Sequence, residues 1–353
     1  MTPESPYLSI VVTARNDNYG GDFNARLQNS VHWLSFFLEK YKVPGELIIV
    51  DYNPIKENAP LTEMLQWPAN RKYLSIRLLH VPCEVHQSLV NPQIRKSVPL
   101  FEFNAKNMAI RRAKGEYILS TNADIIFHPS IIKFISFRIL SKNNYYRTDR
   151  FDFKKVACYD LQRPRSTLTE IEKKVYRIML KGYGYHLKRN GLSSIEEITI
   201  RFKNACRLFY DLNLYKIEAL AKKWNMNITY DPFAQRYHTH CSGDFMLMHR
   251  NHWFALRGYP EDTFISTHCD AIFTVMAGIS GLTENILRFP VYHQDHERRY
   301  KADFDENQFS KEITDMFQRF MNDSREMEKN KKPKIVNSPD WGHGSAQFSE
   351  TRI

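Results

Sequence analysis

Cysteine, long apolar runs and glycine-rich motifs are all scarce in this chain of 353 residues. Its 5 cysteines are scattered without a CxxC pair, which favours free thiols in a reducing compartment over a disulfide framework. The longest apolar runs, such as 273–278, fall far short of the ~20 residues that a membrane span needs. Because no basic region followed by an apolar stretch opens the chain, we expect no secretory signal and a cytoplasmic location.

Two well-known phosphate-binding motifs are also missing. Neither GxGxxG nor GxxxxGK[ST] follows the first apolar run, which argues against a dinucleotide-binding or P-loop fold. Zinc-finger, RRM and KH patterns are absent as well, so we expect no nucleic-acid partner. The formal net charge of +11 then points to a phosphate-bearing substrate, and it also allows peripheral contact with an anionic membrane face.

Apolar periodicity alternates between the two regular structures through the first part of the chain. Runs typical of buried strands cover 7–13, 46–51, 73–80 and 117–119. The segments between them, at 29–39, 60–67 and 101–113, carry patterns typical of helices. This order predicts an α/β fold with a mostly parallel sheet and helices on both faces.

Later segments change in character, and we divide the chain accordingly. Residues 163–225 have a helical pattern broken by glycines, which predicts an inserted helical subdomain. Residues 306–328 predict an amphipathic helix, and the tail from Lys331 is expected to be mobile or folded over the site. The predicted units are 1–162, the insert 163–225, 226–305, and a C-terminal helix with its tail, 306–353.

Three aspartates follow the predicted parallel strands. Asp17 comes after the first strand, Asp51 ends the second, and Asp124 follows the fourth in the stretch GEYILSTNADIIF. Carboxyl ends of parallel strands lie along one edge of a sheet, where open α/β sheets bind ligands. A surface turn would also use Asn and Asp at these places. Their repetition favours a shared crevice.

At this point the sequence resembles the GT-A fold glycosyltransferases, most closely the inverting family 2 type. Five segments, in order, carry the resemblance: SIVVTARND, IIVDYNP, NAKNMAIRRAKGEYI, the Asn122-Ala123-Asp124 step and CSGDFMLMHRNHWFALRGYPE. THCDAIF and VYHQDHERR stand where that family places its catalytic base and a late histidine. The resemblance covers roughly 1–128 and 238–300. It implies transfer of a sugar from a nucleotide-diphosphate sugar, with UDP as the prior expectation, to a saccharide acceptor. It also implies that 1–162 is the half that binds the nucleotide sugar and that 226–305 is the acceptor-binding and catalytic half.

The resemblance also assigns roles to individual residues. It makes Asp124 a ligand of Mn²⁺ or Mg²⁺, with His293 as a further ligand and His296 as second choice. Asn122 stands where the family has its first Asp, so we expect it to contact ribose or a metal-bound water. Thr13, Arg15, Asp17 and Asp51 are expected to line the base and ribose site, and Lys106 to meet phosphate.

An inverting transfer needs one general base to deprotonate the acceptor hydroxyl. The resemblance puts Asp270 in that role, although an Asp before an apolar helix is also typical of an N-cap. Asp244 is the alternative base or a ligand of the acceptor hydroxyl.

Three other interpretations stay open from the sequence. A soft zinc site is conceivable by residue type, although its spacing fits no closed zinc pattern. It would draw on His238, His240, Cys241, His268, Cys269, His293 and His296. A nucleotidyltransferase of related sheet topology is the second, and a basic adaptor without catalysis is the third. The oligomeric state stays unassigned.

Overall fold

The structure is a computed structural model that describes residues 5–89, 98–156, 159–187, 191, 233, 236–262, 266–297 and 306–353. Its strands are β1 (Leu8–Ala14), β2 (Gly45–Tyr52), β3 (Leu74–Val81), β4 (Tyr117–Ser120), β5 (Ile125–Phe127), β6 (Asn144–Arg147), β7 (Arg150–Phe153), β8 (Val175–Leu180), β9 (Tyr183–His186), β10 (Met246–His249), β11 (Thr283–Ile286), β12 (Val291–Gln294) and β13 (Ser349–Arg352). Its α-helices are α1 (Phe23–Lys40), α2 (Leu61–Met64), α3 (Cys83–Leu89), α4 (Glu102–Arg112), α5 (Pro129–Ser136), α6 (Pro164–Lys173), α7 (Arg250–Leu256), α8 (Cys269–Ile279) and α9 (Glu306–Asn330).

The main sheet has eight strands in the order β11-β6-β10-β4-β1-β2-β3-β13. At its centre β4, β1, β2 and β3 are parallel, as the alternation of strands and helices predicts. β10 joins antiparallel to β4, and β13 joins antiparallel to β3. The antiparallel strands β10 and β13 come from later segments of the chain. Both predicted halves, 1–162 and 226–305, contribute strands to one sheet.

Helices cover both faces of this sheet. Every residue of β1 and β2 is buried, which explains why these strands have continuous apolar runs instead of alternation. One core packs α1 and α5 against residues such as Ile10 and Ile49. The other packs α4, α7 and α8 against Val11 and Val50. The predicted α/β fold class is confirmed.

A second sheet has five strands in the order β5-β12-β7-β8-β9. β12 runs antiparallel to β5 and parallel to β7. Its register sets His293 opposite both Ile125 and Asp152. This pairing brings a late segment of the chain to the stretch that follows β4.

The segment 163–225 departs from its predicted helical pattern. Helix α6 opens it, but β8 and β9 then form an antiparallel hairpin. Aromatic and branched residues in VYRIML and YGYH favour a strand, and the adjacent β7 supplies a partner ladder. The rest of the predicted insert, 188–190 and 192–225, lies outside the described residues.

The C-terminal tail, which was predicted to be mobile or folded over the site, is an ordered part of the main sheet and its core. After α9, which the sequence predicts well, Trp341 is buried in the core on the α4 side. β13 then extends the sheet along β3, and Glu350 pairs with Arg77 at 2.7 Å. The tail is therefore part of the folded structure, because an edge strand and a buried indole hold it. No helix among the described residues is long and apolar enough to cross a membrane.

Candidate metal centre and neighbouring carboxylates

Asp124, His293 and His296 come together at the carboxyl end of the parallel sheet. One ligand atom from each lies within 4.8 Å of the others. Asp124 directly precedes β5, and the backbone N–H of Gln294 on β12 donates to the carbonyl of Asp124 at 3.1 Å. Pairing of β5 with β12 thus builds the cluster from residues about 170 positions apart in the chain. The structure brings together the three residues that the resemblance implied as metal ligands.

The ring nitrogens face one carboxylate oxygen. His296 Nε2 lies 3.1 Å and His293 Nε2 lies 3.6 Å from Asp124 Oδ2. The same oxygen accepts a hydrogen bond from Arg26 Nη1 at 3.1 Å. His296, the second choice from the sequence, is thus the closer of the two histidines.

Electrostatics keep this carboxylate charged. Burial alone would raise the pKa of Asp124, but His293, His296 and Arg26 outweigh it and hold that pKa well below its usual range. Asp124 Oδ1 is buried and has no hydrogen-bond partner among the residues that the structure describes. An ionised, buried oxygen without a partner is costly unless a cation occupies the site. The residues present therefore fit a divalent metal ion.

Asp152 supports His293 from behind. Asp152 Oδ1 lies 3.2 Å from His293 Nδ1, which leaves Nε2 of the ring toward Asp124. Metal-ligating histidines commonly have a carboxylate beside the other ring nitrogen, as Asp152 lies beside His293 here. Arg150 and Arg177 balance the charge of Asp152, and despite its burial they and His293 lower the pKa of Asp152. Sequence analysis missed Asp152, although an Asp inside the apolar run RFDF was a visible signal.

Arg150 links this centre to Asp244. Its Nη1 donates to Asp244 Oδ2 at 2.7 Å, and its Nε lies 2.8 Å from Asp152 Oδ1. The other oxygen of Asp244 accepts from Asn122 Nδ2 at 2.7 Å. Both carboxylate oxygens of Asp244 are thus occupied. Asn122 contacts Asp244 and Lys106, and its expected contact with ribose or a metal-bound water stays a prediction.

Lys106 is fully buried, so its ammonium group is not exposed to a phosphate. Its ammonium donates to Glu102 Oε1 at 2.7 Å, to the carbonyl of Gly243 at 2.9 Å, and to Asn122 Oδ1. Three acceptors saturate the three N–H donors of a lysine. The predicted phosphate contact of Lys106 is therefore corrected: the side chain ties α4 to the strand end and to the turn that carries Asp244.

Asp270 stands at the start of α8. Its Oδ2 accepts from the backbone N–H of Gly243 at 2.6 Å, and Oδ1 from Ala271 N at 2.9 Å. His268 is the N-cap of this helix, so the N-cap interpretation of Asp270 does not hold. Asp270 is half-buried and forms no ion pair among the described residues, although the charge of buried Arg147 interacts with it. Of the two candidate bases, it is the more accessible carboxylate.

The four residues expected at the nucleotide site lie at the carboxyl ends of β1 and β2. Arg15 donates to Asp17 at 2.6 Å and to the carbonyl of Asn53 at 2.7 Å, which joins the loops after the two strands. Asp51 is buried, with Oδ2 3.2 Å from His80 Nδ1 and Oδ1 without a partner. By the strand alternation, Thr13 and Asp51 lie on opposite faces of the sheet.

Arg26 connects the loop after β1 to the cluster of Asp124, His293 and His296. Besides Asp124 it binds Asp22 at 3.0 Å and the carbonyl of Tyr19. A Cβ at Gly20 would lie 2.9 Å from Arg26, from His296 and from the Glu297 carbonyl, so only glycine fits there. Sequence analysis missed Arg26, because nothing in the pattern of α1 distinguishes it from a surface arginine.

The remaining residues of the zinc interpretation have separate partners. His238 Nε2 lies 2.9 Å from Asp149, His240 Nδ1 lies 3.1 Å from the carbonyl of Leu180, and Cys269 donates to the carbonyl of Pro260. In the part of the chain that the structure describes, the only cluster of three or more metal-ligating side chains is that of Asp124. A zinc site built from the cysteines and these histidines is thus not formed there.

Comparisons with known proteins were made for the whole chain. No family model matches it, and no curated protein matches it. Among solved structures, it is similar to GalNAc-T7 determined with UDP, GalNAc and Mn²⁺: 13% identity, 91% of this chain and 48% of that chain covered, TM-score 0.47. It is also similar to residues 1–349 of S. aureus TarS: 11% identity, 90% of this chain and 72% of that chain covered, TM-score 0.43. The chain thus spans about half the length of the first of these.

Proposed function

We propose that this protein is a metal-dependent glycosyltransferase of the GT-A type. It would transfer a sugar from a nucleotide-diphosphate sugar, with UDP as the first nucleotide to test, to a saccharide acceptor with inversion. The observation that carries the proposal is the Asp124, His293 and His296 cluster at the carboxyl end of a parallel sheet. Its contacts continue through Asp152 and Arg150 to Asp244, so the cation site and the candidate acceptor side belong to one polar network.

The three candidate metal ligands favour one of the two expected cations. Mg²⁺ prefers oxygen ligands, whereas imidazole nitrogens suit later transition metals and are tolerated by Mn²⁺. Two histidines beside one carboxylate therefore favour Mn²⁺ over Mg²⁺. When bound, the ion would act as a Lewis acid that neutralises the diphosphate leaving group.

The chain's own residues would organise the donor around that site. Arg26 lies beside Asp124, where its charge would complement the diphosphate after the cation takes the carboxylate. Asp51 supports recognition of a base, because its unpartnered Oδ1 matches an N–H donor of the base edge. Arg15 would fix the shape of the loops that enclose the ribose, through its contacts to Asp17 and Asn53.

Asp270 is the proposed general base. It would accept the proton of the acceptor hydroxyl as that oxygen attacks the anomeric carbon, and the hydrogen bond from Gly243 fixes its orientation. Asp244 would instead order the site, because it is buried and paired with the cationic Arg150, whereas both hydrogen bonds to Asp270 come from backbone N–H groups. Substitution of Asp270 by Ala should spare donor binding and lower turnover by about 10²–10⁴-fold.

Calorimetric titration tests the proposal directly. The wild-type protein is titrated with UDP, CDP, GDP and ADP, each with Mn²⁺, with Mg²⁺ and with EDTA. We expect one nucleotide to bind with Mn²⁺ and to weaken strongly with EDTA. Asp124→Ala should abolish the Mn²⁺-dependent part, while Asp160→Ala, an exposed carboxylate paired with Arg163, should leave it unchanged.

Three results decide against the proposal or change it. Absence of binding for every nucleotide, with Mn²⁺ present, rules it out. Nucleotide binding that Asp124→Ala leaves intact rules out the metal centre. One zinc ion that stays with the purified chain through dialysis would identify the cluster as a zinc site instead.

A further inference from the structure

Exposed cations gather at the end of the sheet opposite the candidate site. The four parallel strands start at one level, because Leu8 pairs in register with Gly45 and with Tyr117, and Gly45 pairs with Leu74. The segments that lead into β2, β3 and β4 each expose lysine. We define the amino-end face as the lysines of these segments together with exposed residues of α5 and the turn after it. Its members are Lys40, Lys42, Lys72, Lys114, Lys133, Phe137, Arg138, Ile139 and Lys142.

The turn after α5 belongs to this end of the sheet. The hydroxyl of Tyr117, the first residue of β4, donates to the carbonyl of Leu140 at 2.6 Å. Arg138 lies over the ring of Tyr7, 5.5 Å from its centre, directly before β1. Lys142 Nζ lies 3.3 Å from Glu116, directly before β4. These contacts fix the turn beside the lysine-bearing segments.

Two large apolar side chains project from this turn. Phe137 is 59% exposed and Ile139 is 64% exposed, the highest values among the large apolar residues described. Leu140, which follows Ile139 in the chain, is buried. Ser141 N donates to Tyr146 Oη at 2.6 Å, and these two contacts hold the turn in place. Two large apolar side chains exposed next to each other on one turn form a small apolar projection, and such projections are candidates for contact with another apolar phase.

Few carboxylates offset the charge. Glu39 accepts from the backbone N–H groups of Lys72, Tyr73 and Leu74, which turns it toward the protein. Glu116 is paired with Lys142. The face therefore keeps a strong positive potential next to two projecting apolar groups.

We propose that the amino-end face docks on an anionic phospholipid surface, with Phe137 and Ile139 inserted at the level of the headgroups. Basic side chains around a small apolar projection match the two components of such a surface, anionic headgroups and acyl chains. A protein partner or a second copy needs about 800 Å² from each side, more than two side chains on one turn present. Nucleic acid would use the lysines but has no place for the apolar pair.

This inference goes beyond the proposed function and does not depend on it. Since the candidate site lies at the carboxyl ends of the same strands, docking at their amino ends would turn that site away from the bilayer. Donor and acceptor would then arrive from the aqueous side.

Vesicle sedimentation without nucleotide or metal tests the proposal. The wild-type protein should pellet with vesicles of phosphatidylcholine and phosphatidylserine, should not pellet with phosphatidylcholine alone, and should be released by salt. The variant K72E/K114E/K142E should lose affinity on the order of a hundredfold, because each lysine near such a surface contributes roughly fivefold. R325E/K329E/K332E changes the charge equally at exposed positions elsewhere and should bind like the wild type.

The apolar contribution has its own matched pair. F137S/I139S should weaken binding to the anionic vesicles, whereas I335S/V336S, at residues 39% and 36% exposed, should not. All four variants alter exposed residues, and circular dichroism checks that they fold. Failure of the wild-type protein to bind anionic vesicles overturns the proposal. So does a dimer that F137S/I139S dissociates, or duplex-DNA binding with the same lysine dependence and no vesicle binding.

Discussion

At the scale of single residues, the unpartnered Oδ1 of Asp124 is the most informative atom of the site. Its carboxylate is buried among His293, His296 and Arg26, and those neighbours keep it ionised. Asp152 in turn holds the far nitrogen of His293. This contact orients the imidazole before any cation binds, so the entropy cost of ordering the ring arises during folding and not on metal binding.

Asp152→Asn should therefore weaken Mn²⁺ binding by about 10–100-fold without abolishing it, since the ligands remain and only their orientation suffers. Asp149→Asn is the matched control, because Asp149 also bonds a buried histidine, His238, outside the cluster. Mn²⁺ affinity is measured by electron paramagnetic resonance on protein whose folding is checked by circular dichroism. Equal affinities for the two variants would mean that Asp152 does not support the metal centre.

The three residues of the candidate metal cluster were predicted from the sequence, but the residues that contact them were not. Asp124 was found because it follows an apolar strand, and His293 because it follows another. Roles for Arg26, Arg150 and Asp152 were not predicted, since they depend on contacts between distant segments and not on local pattern. Lys106 was assigned to phosphate because its burial is invisible in sequence: only the packed structure surrounds its ammonium with three acceptors.

At the scale of elements, register decides what meets what. β12 carries His293, and its pairing with β5 and β7 sets that residue between Asp124 and Asp152. A shift of one residue would turn the imidazole to the other face of the sheet. The C-terminal strand is a second case, because its partner β3 precedes it by about 270 residues.

Deletion of 349–353 should expose the edge of β3 and lower stability. The lost ladder and the Arg77–Glu350 pair together contribute about 3 kcal/mol, given roughly 0.5–1.5 kcal/mol for each hydrogen bond. An unprotected edge strand also promotes association. Urea unfolding and light scattering measure both effects.

Glu350→Gln in the full-length chain is the control for the ion pair alone. It keeps the strand in place and should change stability little, because Glu350 is partly exposed and Arg77 retains Glu46 at 2.6 Å. If the deletion and the wild type unfold at the same urea concentration, β13 is not a stabilising element.

At the scale of the whole molecule, the two ends of the parallel sheet have different chemistry. Carboxylates and histidines collect at the carboxyl end, and exposed lysines collect at the amino end. Buried titratable groups add a further global property, the dependence of stability on pH.

Stability should fall on acidification from pH 7 to pH 5. Burial lowers the pKa of His238 to about 4, despite the opposing effects of Asp149 and Glu284, so the unfolded chain binds a proton below pH ~6.5 that the folded chain refuses. Stabilisation is therefore complete above the unfolded pKa and is lost as pH falls, by about 2 kcal/mol at pH 5 for this group. His128, whose pKa burial also lowers to about 4, acts in the same direction.

Urea titrations at pH 7, 6 and 5 measure this slope. His238→Gln removes the titrating group and keeps a polar side chain beside Asp149, so it should flatten the dependence. A wild-type midpoint that stays constant across these pH values would contradict the buried, neutral state of His238.

The sequence by itself determined the α/β class, the order of the first strands and the aspartates that end them, because these depend on local periodicity and on where apolar runs stop. It did not determine the hairpin of β8 and β9, the C-terminal edge strand, the buried position of Lys106 or the support of His293 by Asp152. Each of these depends on contacts between distant segments, where partner strands and burial change what a residue can do. Tertiary structure decided them because a hydrogen-bond partner or a buried charge exists only after the chain has folded.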